Sequence, residues 1–192
     1  MRKPWRMFFV VLALLVPAGA AADEPAALSD AAMERLSGLL HAYEHQPTAG
    51  EFEALGERDL VRDALIRIVG DDAEVALLRG RAIVALGYFP DETSRRAIEG
   101  VLDRPELSDI ILRRAIETMA HAYREAGLSR ISPYLDDARS DVREAAAVAL
   151  GEIGTAAALR ALRRRLAREE TAVVRTTIER EVRRLEEAAA AE

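Results

Sequence analysis

The residue types that could carry chemistry are few in this chain. His41 and His45 stand four residues apart with Glu44 between them, a spacing at which two imidazoles on one helical turn can hold a metal ion. Pro47 breaks the helix just beyond, no third ligand is marked, and the pair lacks the HExxH form of a zinc protease. No metal site is therefore assigned, and the pair is kept only as the candidate centre of an alternative, enzymatic reading. The chain has no cysteine, which excludes disulfides, thiolate metal sites and a cysteine nucleophile. It shows no nucleophile with an adjacent base, no glycine-rich phosphate loop and no spaced carboxylate pair, so no catalytic residue and no cofactor is assigned.

A second set of residues suits binding rather than catalysis. Arg160, Arg163, Arg164, Arg165 and Arg168 form a dense basic run, and the four-residue spacing of Arg160, Arg164 and Arg168 predicts a positive ridge along one helix face. Such a ridge can meet phosphate or acidic side chains. Against nucleic acid, the chain carries 27 Lys and Arg against 33 Asp and Glu, a net charge of −6, whereas a nucleic-acid binder should be basic over the domain. Electrostatic complementarity favours an acidic protein partner instead.

The elements that must position these residues follow from Asp141 to Leu166. Val142, Ala145, Ala146, Ala149, Leu150 and Ile153 recur at helical spacing and make one buried stripe. Asp141 suits the start of that helix, Gly151 and Gly154 are placed to loosen its end, and Thr155 can cap a second helix carrying Ala158, Leu159, Leu162 and Leu166. A hairpin with one apolar side cannot bury that side alone, so neighbours are expected at a fixed period. They are present: Leu78-Arg79, Leu112-Arg113, Val142-Arg143 and Val174-Arg175 recur at 34, 30 and 32 residues, and RGRAIVALG (Arg79 to Gly87) aligns with REAAAVALG (Arg143 to Gly151).

This pattern resembles the HEAT-like repeat family, in particular its short bacterial form, in which an Asp-x-x-Val-Arg-like start leads into Ala-Leu-Gly and a second helix. The resemblance covers Asp141 to Leu166 best, then Asp72 to Leu102, Ser108 to Leu135, and a lone first helix in Thr171 to Leu185. It implies an all-α fold, an α-solenoid of about four stacked helix pairs, with first helices outward and second helices lining the concave side. It also implies that the arginine near the start of each first helix is structural, bonding an acid from the preceding turn. Asp137 and Glu169 stand six residues ahead of Arg143 and Arg175, while Arg79 and Arg113 lack such an acid. Enzymes of the family with repeated His-Glu pairs are disfavoured, because the chain contains no His-Glu dipeptide.

Around the repeats, Leu28 to Tyr43 reads as an N-terminal capping helix with Ser29 or Asp30 as cap, Thr48 to Glu51 as a capping box, and Glu57 to Val69 as a further helix. The next pair is Ala73 to Tyr88 and Glu92 to Leu102, turned by Phe89-Pro90-Asp91, and the third is about Glu106 to Glu125 and Leu128 to Asp137, with Pro133 in a first turn. The last helix spans about Glu169 to Glu187, leaving residues 188–192 as a polar frayed tail. Phe89 and Tyr123 are expected to seal packing between repeats, and Tyr134 to reach the concave face.

Residues 1–22 read differently. Arg2, Lys3 and Arg6 precede the apolar run Met7 to Val16, and both Ala18-Gly19-Ala20 and Ala20-Ala21-Ala22 satisfy a small-x-small cleavage rule. A secretory signal peptide is expected, too short to span a bilayer, which leaves residues 23–187 as the solenoid domain. Losing those three cations takes the net charge from −6 to −9. The sequence thus reads as a periplasmic or secreted scaffold, not stably inserted in a membrane, that binds a protein partner through a concave groove around Arg95, Arg96, Arg130, Tyr134, Arg160 and Arg164.

Overall fold

The computed structural model describes residues 27–42 and 44–191, so the leader expected over residues 1–22 lies outside the described residues. Ten α-helices run in order: α1 (Asp30–His41), α2 (Ala49–Glu53), α3 (Arg58–Gly70), α4 (Ala76–Leu86), α5 (Glu92–Leu102), α6 (Asp109–Tyr123), α7 (Leu128–Ile131), α8 (Ser140–Ile153), α9 (Ala156–Leu166) and α10 (Ala172–Ala190). Two 3₁₀ turns, Arg124–Gly127 and Ser132–Asp136, flank α7. No strand occurs among the described residues.

The helices start where short polar side chains can take up orphan amides. Ser29 accepts the amide of Ala32, Asp91 that of Ser94 at 2.8 Å, and Thr155 that of Ala158 at 3.2 Å. At Thr48 the Glu51 carboxylate reaches back to the backbone amide at 2.9 Å, as a capping box requires.

The apolar stripes then sort the helices into two layers. The first helices lie side by side in sequence order, α4 on α6, α6 on α8 and α8 on α10, with α1 against the outer side of α4. The second layer holds α3, α5, the α7 segment with its 3₁₀ turns, and α9. Each member packs against the next first helix: α3 on α4, α5 on α6, the Ser132–Asp136 turn on α8, and α9 on α10. This is the architecture of a solenoid, in which every unit buries its apolar side on its neighbours. One continuous core results, running from Leu28 to Leu185, and it includes the whole stripe expected on α8. α10 continues as helix to Ala190, through residues expected to form a frayed tail.

Two glycines decide how closely α8 can be packed and how it ends. Gly154 takes φ 76° and turns the chain into α9 without the Cβ penalty another residue would meet. Gly151 is not part of that turn. It lies inside α8, where a Cβ would stand 2.3 Å from the Glu181 carboxylate on α10, so its role is close approach.

The third unit lacks the turn glycine. Eleven residues beyond its marker Arg113 stands Arg124, which adopts φ 50°, ψ −125°, whereas Gly154 holds the same place relative to Arg143. The expected helix over Leu128 to Asp137 is accordingly broken into the short α7 and 3₁₀ turns. Arg124→Gly is expected to raise the unfolding free energy by about 1 kcal/mol, the lower end of the strain that such a backbone stores. A rise in the urea midpoint at unchanged slope is the check.

Candidate interaction surface

The second layer carries the residues singled out for binding. Arg95 and Arg96 sit on α5, Arg130 on α7, Tyr134 in the Ser132–Asp136 turn, and Arg160 and Arg164 on α9. These elements are fastened edge to edge. Arg130 donates to the Glu99 carbonyl at 3.3 Å and the Tyr134 hydroxyl donates to that of Leu102, while Arg165 and Arg168 reach Asp136 at 3.1 and 2.8 Å.

The six residues do not form a uniform cationic groove. Arg95 pairs with Glu92 at 2.8 Å and Glu99 at 2.6 Å, Arg96 with Glu92 at 2.9 Å, and Arg130 with Asp103. The Arg95 hydrogen bond holds the Glu92 carboxyl below its ordinary value against the opposing effect of burial. Arg160 and Arg164 differ: both are exposed, one turn apart on α9, and neither meets a carboxylate among the described residues. Of the rest of the basic run, Arg163 pairs with Glu186 and Arg165 with Glu169 and Asp136.

Tyr134 is a correction. Expected on an open face, it is 8% exposed, and burial pushes its phenol above the usual range. Ile131, Tyr134 and Leu135 follow an inward i, i+3, i+4 spacing, and that spacing is the signal that it belongs to the core. Phe89 is fully buried, as expected, and the Tyr123 hydroxyl donates to the Asp91 carbonyl at 3.0 Å.

Three of the four marker arginines, Arg79, Arg143 and Arg175, are structural, though not by the pairing expected. Arg143 donates to the carbonyls of Asp137 and Ala138 at 2.9 and 3.0 Å, and its carboxylate partner is Glu169 at 3.0 Å, on the following turn. Arg175 likewise takes the Glu169 carbonyl rather than its carboxylate. In both, the guanidinium ties off the backbone oxygen six residues ahead. Arg113 is exposed, and Arg139 reaches back from the next unit to the corresponding carbonyl of Leu107 at 2.8 Å. The position that supplies Glu169 to Arg143, 26 residues on, is Arg139 for Arg113. A second cation there explains why Arg113 turns outward. Arg79 is buried and bonded to Val69 and Asp72, but its Nη2 has no partner.

The unit repeat, the two-layer stacking and the recurrent arginine agree with comparison to known families: residues 106–183 match the model described as HEAT repeats. Residues 106–183 are HEAT-like repeats. The HEAT match runs from the start of the third unit through most of α10, and the same helix stacking continues upstream into α4 and α5. No curated protein matches the chain. HEAT repeats generally mediate protein–protein interaction.

A ladder not anticipated from sequence joins the HEAT units on their surface. Asp72 pairs with Arg104, Asp103 with Arg130, and Asp136 with Arg165 and Arg168, each acid at the end of one second-layer element and each arginine on or just past the next. The recurrence of Asp72, Asp103 and Asp136 at 31 and 33 residues was its signature. These exposed pairs set register more than stability, at up to about 1 kcal/mol each.

The histidines are not brought together as a metal pair. α1 ends at His41, whose Nδ1 lies 2.8 Å from the Ser37 carbonyl, while His45 lies beyond the helix with Nε2 2.7 Å from Glu51. The i, i+4 geometry fails because the helix stops between them. No group of three potential ligands occurs among the described residues. No helix among them is long and apolar enough to cross a membrane.

Proposed function

We propose that this HEAT-like chain is an exported, non-catalytic docking module that holds an acidic protein partner on the face of its second-layer elements, the side expected to be concave. The observation that carries the reading is the exposed pair Arg160 and Arg164, whose charge no neighbouring carboxylate neutralises among the described residues. Clefts of about 340 Å³ between α5 and the α7 segment, and about 220 Å³ between α3 and α5, furrow the same layer and offer room for partner side chains. Arg95, Arg96 and Arg130 would contribute hydrogen bonds more than field, since carboxylates already face them. Export rests on Arg2, Lys3 and Arg6, the apolar run Met7 to Val16 and the small-residue sites that follow, and it places the protein in the periplasm or outside the cell.

The test is capture of partners by the tagged protein from its own cell envelope, alongside the double variant Arg160→Glu, Arg164→Glu. Recovery of the specific partner is expected to fall at least about tenfold, as loss of two charge-assisted contacts implies, and to weaken with added salt. Identical recovery by both proteins would remove the second-layer assignment.

A further inference from the structure

A cleft of about 380 Å³ lies away from that face, where α1, the connection after it, and α4 meet. Its wall is apolar: Leu39, Leu40, Phe52, Val84 and Ala85, with the Tyr88 ring 5.9 Å from that of Phe52. Ala42 and Pro47, which line it after α1, are each tied down. Arg81 Nη1 donates to the carbonyls of Leu40 at 2.7 Å and Ala42 at 3.0 Å, and the Tyr88 hydroxyl donates to the Pro47 carbonyl at 3.2 Å. The opening is therefore held by bonds independent of any guest.

Two guanidinium groups line this cleft. Arg81 has no carboxylate partner among the described residues, and Arg114, about half exposed, pairs only with Glu117 at 2.8 Å. Among the described residues Glu44 is the one carboxylate lining the cleft, and His45 is engaged with Glu51. An apolar wall beside Arg81, whose charge no described carboxylate neutralises, with Arg114 adding hydrogen bonds more than field, selects a guest that is greasy on one side and carries one negative charge. The volume sits near the lower end of ligand pockets, which run from ~300 Å³, so one or two residues fit and a long acyl chain does not.

We infer that this cleft captures the C-terminal residue of a partner polypeptide, an apolar side chain against Phe52 and Val84 with its free carboxylate toward Arg81 and Arg114. Capture of a terminal carboxylate is an established mode of peptide recognition, and the guanidinium–carboxylate bond gives it direction. The site is separate from the Arg160 and Arg164 surface, so either reading can fail without the other.

The experiment is calorimetric titration of the intact protein with a six-residue probe peptide ending in leucine, against the same peptide amidated at its C-terminus and against hexanoate. The free-acid peptide is expected to bind saturably, about tenfold more tightly than the amide and than hexanoate. Arg114→Met should cost a similar factor while leaving the thermal midpoint unchanged, because its ion pair is with Glu117 on its own helix and methionine keeps the stem that packs beside Gly80. Val84→Trp, which fills the cleft, should abolish binding with the fold checked by circular dichroism. Equal binding of acid and amide, hexanoate matching the peptide, indifference to Arg114→Met, or no saturable binding at millimolar peptide would each overturn the assignment.

Discussion

Glu169→Ala is expected to lower the unfolding free energy by about 3–5 kcal/mol, the range for breaking a buried ion pair and leaving a charge behind. Glu169 is 1% exposed in the turn between α9 and α10. Its carboxylate accepts from Arg143 Nε and Nη2 at 3.0 and 3.1 Å, from Arg165 Nε and Nη2 at 3.0 and 2.6 Å, and from the Thr171 amide at 2.9 Å. Removing it strands the guanidinium of Arg143, 8% exposed, between two stacked units. Urea unfolding of the variant is the measurement, and a loss below about 1 kcal/mol would show that water compensates the cluster.

The same residue sets an acid limit. Burial alone would push the Glu169 carboxyl up, but the bonds from Arg143, the Thr171 amide and Arg165 outweigh it and hold the group down at about 2, against 4.5 ordinarily. A folded value below the unfolded one means that the stabilisation is complete above about pH 4.5 and disappears as the pH falls toward 2. The difference in stability between the native chain and Glu169→Gln should therefore shrink by about 3 kcal/mol over that window. A constant difference from pH 7 to pH 2.5 would assign the cost to packing rather than charge.

Phe89→Ala is expected to cost about 3–5 kcal/mol, because a fully buried ring is lost and its cavity remains. Phe89 sits in the turn from α4 to α5, with no exposed surface, and the Arg58 guanidinium of α3 lies 4.8 Å from its ring centroid. It thus pins the turn of one unit to the helix before it. Phe89→Leu, which keeps most of the volume, should cost less than about 1.5 kcal/mol. Amide exchange in the Ala variant should accelerate first in α3, α4 and α5, since a repeat array opens at its weakest interface. Uniform acceleration from α1 to α10 would indicate a single cooperative unit instead.

Much of the fold was written in the chain at short range. The stripe from Val142 to Ile153, the caps at Ser29, Asp91 and Thr155, the capping box at Thr48 and the copied Leu-Arg or Val-Arg pairs are local patterns, and all lie where spacing put them. Less of the binding surface was legible. Arg95 and Arg96 are neutralised by Glu92 and Glu99 on their own helix, but Arg130 and Arg165 are neutralised by carboxylates about thirty residues away, Asp103 and Asp136. The histidine pair failed for a local reason, the end of α1 at His41.

Local patterning alone dictates that this chain is built of helical hairpins, each too apolar on one side to stand alone, and that they recur closely enough to lean on one another. Periodicity and capping are properties of neighbouring residues, so no three-dimensional knowledge was needed. Stacking of the units alone settles that Gly151 admits Glu181, that Arg139 takes the place of Arg113, and that a cleft opens beside α1. Those outcomes turn on which side chains of adjacent units compete for the same carbonyl, carboxylate or space, and such competition is settled by stacking.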